Sequence, residues 1–437
     1  MADTPPQIER INALTVNARN TWFVLLGALV FVGITLMGVE HIDFYGVDRA
    51  TTLPLVNVEV PTRLFFAAAP ILVAAIYSYF HLYLIRLWDA LSDADATVND
   101  RPLGDAITPW LITDAALYLR TQLRDEPTPS ARHRLLEGSA MVLNFAIAWA
   151  FGLIVLFFLW WLSMPARTFW MTFVAGLSLF GAAFVGATSL FLMVMRMRIR
   201  HVGTQRHVFI TLPRLSTLLV TLPLIVFLSY YRTNGGTDWP APLQLFGEKI
   251  VERPSGWLPY RLAKADHFEA WCRRVASTCD TPVELEDEEI RAFESDFDER
   301  RAIAVLDLLQ PNWSQRAASK PDFRRAQLNA AFLVGANLQG AHMEYASLVA
   351  ASLEAADLSN SHLFRADFDY AEMQNADLSG AVIVEADFAK AQLDGVDMSN
   401  AKMFLADFTE AQMHGARLNR ADMPYVKLDK TQMAGAE

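Results

Sequence analysis

Three groups of residues in this 437-residue chain have types and spacing that suit chemistry. Cys272 and Cys279, in "EAWCRRVASTCDTP", lie seven apart and are the chain's two cysteines. In an oxidising compartment such a pair reads as a disulfide closing a small loop. As a C-x6-C pair with no accompanying His–Cys set it suits zinc poorly. His342 and His362 are twenty apart, and Asp367, Asp387 and Asp407 repeat at the same interval. The aspartates are a candidate interaction surface. Two histidines do not make a metal site, and the positions that continue their column, Val382, Lys402 and Asp422, do not complete one. His41 and Asp43 likewise offer only two ligands. No metal and no other cofactor is expected. No H-E-x-x-H, G-x-S-x-G, P-loop or CxxC pattern is present, so no catalytic activity is expected.

The elements that carry these residues follow from composition. Hydrophobic residues make up 53% of the chain and charged residues 19%, which is more apolar than an ordinary soluble domain. The excess lies before residue 232, in stretches near or above the ~20 residues that cross a bilayer as a helix. Five transmembrane helices are expected, over 21–39, 64–87, 141–164, 169–194 and 215–231. The fifth is the shortest and contains Pro223. The first lacks an A-x-A cleavage site and reads as an uncleaved anchor. Trp22, Trp88, Trp160, Trp161, Trp170, Tyr230 and Tyr231 sit at span ends, where interfacial aromatics belong. Inside the spans, Ala182 and Gly186 form a small-xxx-small pair that Gly176 and Gly181 extend, and His81 reads as a helix–helix hydrogen-bonding residue.

Arginine placement gives an orientation. With the N-terminus in the cytoplasm, thirteen arginines flank spans on the inside, from Arg10 and Arg19 to Arg206 and Arg214. Four, Arg49, Arg63, Arg167 and Arg232, flank them outside. This is the positive-inside bias, and with five spans it puts everything after Arg232 outside the cytoplasm. The dense "MRMRIRH" at Met195–His201 reads as an anionic-lipid contact. The net charge of −11 gives no reason to expect nucleic-acid binding. The expected domains are a membrane domain over 1–231, a helical extracytoplasmic linker over 232–320, and a repeat domain over 321–437.

The repeat has a period of five. From Ala326 the chain reads AQLNA, AFLVG, ANLQG, AHMEY without a gap to TQMAG at Gly435, which is 22 pentapeptides. The third residue is always Leu, Phe, Met or Ile, and the first is Ala except at Ser361, Val396, Val426 and Thr431. A short strand puts its first and third residues on one face. Two outward residues then make a corner, and a chain that turns the same way every five residues winds into a coil whose turns satisfy one another's backbone. Phe368, Phe388 and Phe408 are twenty apart at the third position, which favours four pentapeptides per coil. Leu328, Leu348, Phe368, Phe388, Phe408 and Leu428 are therefore one expected core column. At ~4.8 Å per coil the column stands about 26 Å tall.

This pattern resembles the pentapeptide-repeat family, A(D/N)LXX, whose fold is a right-handed quadrilateral β-helix. The expected fold class is an α-helical transmembrane bundle followed by that all-β solenoid. The layout also resembles bacterial multi-pass membrane proteins with a C-terminal pentapeptide domain, through "TTLPLVNVEVP" and "HLYLIRLWDAL". The resemblance implies the bacterial inner membrane as location, and the arginine bias with five spans makes the repeat domain periplasmic. The function expected is an interaction or scaffold module of the cell envelope, partnered by the bilayer and by proteins on the β-helix surface. One alternative is a small transporter or channel subunit with the β-helix as a cap. Some soluble members of the family mimic DNA and bind DNA gyrase; that reading requires a cytoplasmic C-terminus. Asp387 reads as one of a stack of like charges, so Asp387→Ala is expected to be tolerated or slightly stabilising.

Overall fold

The structure, a computed structural model, describes residues 6–45, 50–53, 58–98, 101–124, 143, 146–198, 212–233, 243–245, 247–248, 257–275, 290–297, 300–301 and 322–437. The chain divides into two compact units, Met1–Glu40 with Ala50–Gly236, and His41–Arg49 with Thr237–Glu437.

The first unit is helical. It contains α1 (Pro6–Met37), a hairpin of β1 (Ala50–Leu53) with β2 (Val58–Pro61), α2 (Thr62–Asp93), α3 (Leu111–Arg124), α4 (Phe151–Ser163), α5 (Phe169–Arg198) and α6 (Leu212–Thr233). Among the described residues, four helical segments are long and apolar enough to cross a membrane: Pro6–Met37, Thr62–Asp93, Ala146–Ala166 and Phe169–Arg198. The first begins well before the expected Thr21. Its early part is amphipathic, with Ile8, Ile11, Thr15 and Ala18 buried, a spacing that continues one helical face although the stretch is too polar to read as a span. The expected fifth span forms a 22-residue helix whose shorter apolar stretch is Thr221–Tyr231.

Close approach between helices rests on small residues. A Cβ on Gly186 would stand 2.5 Å from the Tyr77 hydroxyl, and one on Gly152 would stand 2.5 Å from the Tyr77 ring. Ala182 and Gly186 are both buried, as the small-xxx-small reading requires. A Cβ on Gly176 would meet Ile225 at 2.5 Å, and Trp160 Nε1 donates to Ser229 Oγ (2.9 Å), so α6 packs into this unit. Gly181 faces open space and takes no part. The π-turn Ala146–Ala150 loosens the backbone ladder, and the Trp149 carbonyl there accepts the Tyr77 hydroxyl (3.0 Å). His81 is buried against the rings of Tyr77 and Trp149. The backbone of Ala148, in the segment before α4, is its hydrogen-bonding neighbour.

Arginines close the helix ends. Arg120 donates to the carbonyls of Leu91 (2.6 Å) and Ala94 (2.9 Å) at the end of α2. Arg124 donates to those of Met197 (2.8 Å) and Arg196 (2.6 Å) at the end of α5. Last-turn carbonyls lack helical partners, and cations suit that pole of the helix.

The second unit is a coil of pentapeptides with helical segments packed on it. Isolated parallel bridges join each second-position residue to the one twenty further on, from Asp322↔His342 to Gln412↔Gln432, so four pentapeptides make one turn. The rings of Phe368, Phe388 and Phe408 stack at 4.8 and 5.0 Å, nearly parallel. Leu328, Leu348 and the three phenylalanines are fully buried. Leu428 departs from the expected core. It is 39% exposed because it belongs to the last turn described, with no further turn stacked on it.

The region expected as a separate linker folds with the coil. Residues 243–245 and 247–248 lie along its first turn as an added strand: Gln327 N–H donates to Leu243 O (2.7 Å), Leu245 N–H to Gln327 O (2.8 Å), and Phe332 N–H to Glu248 O (3.0 Å). Solenoid ends need such caps. His41 Nδ1 accepts the Gln244 N–H (3.1 Å), and Tyr45 packs on Phe323. α7 (Tyr260–Val275) and the helical residues 290–297 share a core of Tyr260, Trp271, Cys272, Phe293 and Phe297. They are clasped to the coil by Arg301, which pairs with Glu354 (2.5 Å) at side-chain exposures of 10% and 3%. The guanidinium of Arg301 also stacks on Trp257 at 3.9 Å.

Phe388→Ala is expected to cost about 3–5 kcal/mol, as a large buried ring removed between two others. Leu428→Ala is expected to cost less than about 1 kcal/mol, as a surface change. Thermal unfolding of the two variants, followed by protease protection of the coil, checks the difference.

Candidate interaction surface

Each pentapeptide spends its backbone donors in a fixed way. The first N–H closes a turn onto the third carbonyl of the preceding unit, as Ala331 N to Leu328 O (3.0 Å). The second donates to the turn before it, as Ser347 N to Ala326 O (2.9 Å), and the third and fifth to the turn after it, as Leu348 N to Asp367 O (2.6 Å) and Ala350 N to Asp369 O (2.8 Å). The fifth residue has positive φ, about 51–74°, as the third residue of a type II turn requires. At Gly395 this φ of 67° comes with a close approach, since a Cβ there would meet Asn375 Oδ1 at 2.5 Å.

The fourth N–H is left over, and the second-position carboxylate takes it. Asp357 Oδ1 accepts from Ser359 N (2.9 Å), Asp367 from Asp369 (3.1 Å), Asp377 from Ser379 (2.8 Å), Asp387 from Ala389 (3.0 Å), Asp397 from Ser399 (2.9 Å) and Asp407 from Thr409 (2.9 Å). Short side-chain oxygens that bond the backbone two residues on are a property of Asp and Asn. This is the physical content of the D/N in the repeat.

Asp367, Asp387 and Asp407 are thus brought together as expected, in consecutive turns. They are half-buried rather than fully outward, and they form a ladder with a local electrostatic cost. Burial first, then the neighbouring Asp387 charge, raises the pKa of Asp367. Asp369, one pleat along, is pushed up to about 6 by burial first and then by Asp387 and Asp367. Burial also acts to raise Asp407, but the bonds from Lys427 (2.8 Å) and Thr409 outweigh it and hold it low.

Exposed aromatics flank this face. On one corner lie Tyr345, Phe404 and Tyr425, with exposures of 41%, 40% and 77%. On the other lies Tyr370, whose hydroxyl accepts from Lys390 Nζ (3.0 Å). Sequence reasoning passed over these residues. The signal was available, since fourth and fifth positions point outward, and a Tyr or Phe there has no core to fill. Cys272 is buried on α7; its expected partner Cys279 lies outside the described residues.

The family described as pentapeptide repeats matches residues 322–360, 361–400 and 401–436, in eight copies. The coil is a pentapeptide-repeat domain. Such repeats imply a right-handed β-helix. Among solved structures, HetL from the cyanobacterium Nostoc sp. strain PCC 7120, a pentapeptide-repeat protein involved in heterocyst differentiation regulation, is 28% identical over 27% of this chain and 62% of its own, with a TM-score of 0.21. Rfr23 from the cyanobacterium Cyanothece 51142 is 26% identical over 23% of this chain and 59% of its own (TM-score 0.11). The protein alr5209 from Nostoc PCC 7120 is 26% identical over 30% of this chain and 93% of its own (TM-score 0.17). The chain thus spans less than two thirds of HetL and of Rfr23. No curated protein matches the chain.

Asp387→Ala removes both a charge and a cap, whereas Asp387→Asn removes only the charge. The alanine variant is expected to be less stable than the asparagine variant by about 1 kcal/mol, so the hydrogen bond to Ala389 opposes the gain expected from charge relief alone. Thermal melts of the pair at one pH check this. For Asp369 the folded pKa is raised, so its stabilising contribution is complete below the unfolded value near 3.8 and is lost as pH rises through about 6. Asp369→Asn is therefore expected to melt a few degrees above the parent at pH 7.5 and with it below pH 4.

Proposed function

We propose that this chain is a membrane-anchored interaction module of the cell envelope, whose pentapeptide-repeat domain lies outside the cytoplasm and binds a protein partner bearing lysine and arginine. The observation that carries this is the composition of one coil face: the Asp367–Asp387–Asp407 ladder lies between corners that expose Tyr345, Phe404, Tyr425 and Tyr370. Carboxylates beside aromatic rings suit cationic side chains, through ion pairs at the ladder and cation–π contact at the rings, as the coil's own Arg325 makes over Tyr345 (4.7 Å) and Lys390 over Tyr370 (5.1 Å). Another face is occupied by the chain's own helical segment through Arg301 and Glu354.

Two observations support the orientation. The arginine bias favours a cytoplasmic N-terminus. Residues 41–45, which follow α1, pack in the same unit as the coil. Segments that fold together lie on one side of a bilayer, so an even number of crossings separates them. With α2, the 146–166 helix and α5 as three crossings, this reading needs α6 as the fourth. An extracytoplasmic coil also makes a Cys272–Cys279 disulfide reasonable.

Alkaline phosphatase fused after Gly435 is expected to be active in a bacterial host, and mass mapping without reductant to find one Cys272–Cys279 linked peptide; an inactive fusion would place the coil on the cytoplasmic side. For the partner surface, Asp367→Asn, Asp387→Asn and Asp407→Asn are combined, because asparagine keeps the caps. Detergent-solubilised parent should retain a basic protein partner that salt releases, and the triple variant should lose it with its coil still protease-resistant. Equal retention by both would overturn the assignment of this face.

A further inference from the structure

We infer that His342, Glu344 and His362 form a binding site for a divalent first-row metal ion, of which zinc is the representative. The three side chains offer two imidazoles and one carboxylate whose ligand atoms lie within 4.8 Å of one another. The coil brings them together by construction. His342 and His362 are second-position residues of adjacent turns, joined by a backbone bridge, so their rings stack at 4.8 Å and 22°. Glu344 is the fourth residue of the same pentapeptide as His342, and its Oε1 lies 3.2 Å from His342 Nδ1.

The decisive atom is Glu344 Oε2. It is buried and has no hydrogen-bond partner, although a buried carboxylate oxygen ordinarily has one. The Arg324 guanidinium, whose charge acts on Glu344, donates its hydrogen bonds to Asp322 instead (3.0 and 2.6 Å). A cation bound beside Oε2 would satisfy it. Two neutral imidazoles with one carboxylate are ligands of borderline hardness, which suits zinc. Zinc–ligand bonds of ~2.0–2.2 Å set tetrahedral ligands about 3.3 Å apart. The His342–Glu344 edge already has this spacing, and the exposed His362 ring is the group that must swing inward. The solvent side leaves a fourth position to water. The bound ion would tie two adjacent turns of the coil together, at the corner that carries Tyr345. The histidine column alone was one ligand short. Glu344 completes it from a different position of the repeat, two residues after His342.

The test is zinc titration of tag-free, full-length protein in detergent after chelator dialysis, against a chromophoric competitor. The parent is expected to bind one equivalent that His414→Ala leaves unchanged, since His414 is engaged with Asp394 (2.8 Å). Glu344→Gln and His362→Ala should each weaken that equivalent tenfold or more, because even outer-sphere changes cost metal sites 10–100-fold. Zinc should also raise the thermal midpoint of the parent coil but not of Glu344→Gln, which is isosteric and melts with the parent when metal-free. Absence of a saturable equivalent in the parent, or one that both substitutions leave intact, would overturn the site.

Discussion

The fourth amide of each pentapeptide governs much of this coil. In the inner turns, nearly every other backbone donor meets a carbonyl in its own corner or in an adjacent turn. The fourth has none, and an unpaired buried amide costs about as much as a lost hydrogen bond. Aspartate or asparagine at the second position resolves this within one unit, without help from the turns above and below. Where the second residue is something else, the chain uses neighbours: Asn329 Oδ1 accepts from Val349 N (3.0 Å), and Asp394 Oδ1 from His414 N (3.0 Å). The acidity of the coil is therefore first a structural consequence. Its cost appears where capping carboxylates stack, at Asp367 and Asp369. A lysine one turn along offsets it, as Lys427 does for Asp407. A face built this way is charged, regular and rigid, which are the properties an interaction surface needs.

The helical unit solves a different problem. Apolar surface alone does not choose a helix neighbour inside a membrane-like setting; close packing does. Tyr77 fits against Gly152 and Gly186 and hydroxyl-bonds Trp149, so one side chain of α2 fixes α4, its preceding π-turn and α5. Arg120 and Arg124 close the ends of α2 and α5. These arginines supply the donors that finish the two helices.

The period of five was readable because position one and position three face inward in every unit, so a single register accounts for Ala326 to Gly435. The stacked phenylalanines fixed four units per turn for the same reason. What could not be read involved contacts without a period. Arg301 and Glu354 are 53 residues apart, and neither has a sequence context that points to the other. Residues 243–245 and 247–248 pair with the first turn through backbone hydrogen bonds, which side-chain patterns do not reveal. The start of α1 escaped because Ile8, Ile11, Thr15 and Ala18 make a helical stripe within a polar stretch. Leu428 was assigned to the core by its column, but burial also requires a turn on each side. Asp387 was read as charge, whereas its bond to Ala389 depends on the corner geometry.

Site-resolved hydrogen exchange of the coil tests the capping account most directly. Ser379 and Ala389 have fourth-position amides held by Asp377 and Asp387, whereas the fourth-position amide of Phe364 follows His362 and has no such acceptor. All three lie in adjacent central turns. The account predicts slow exchange at Ser379 and Ala389, fast exchange at Phe364, and acceleration at Ala389 alone in Asp387→Ala. Uniform protection of the three amides, unchanged by that substitution, would contradict it.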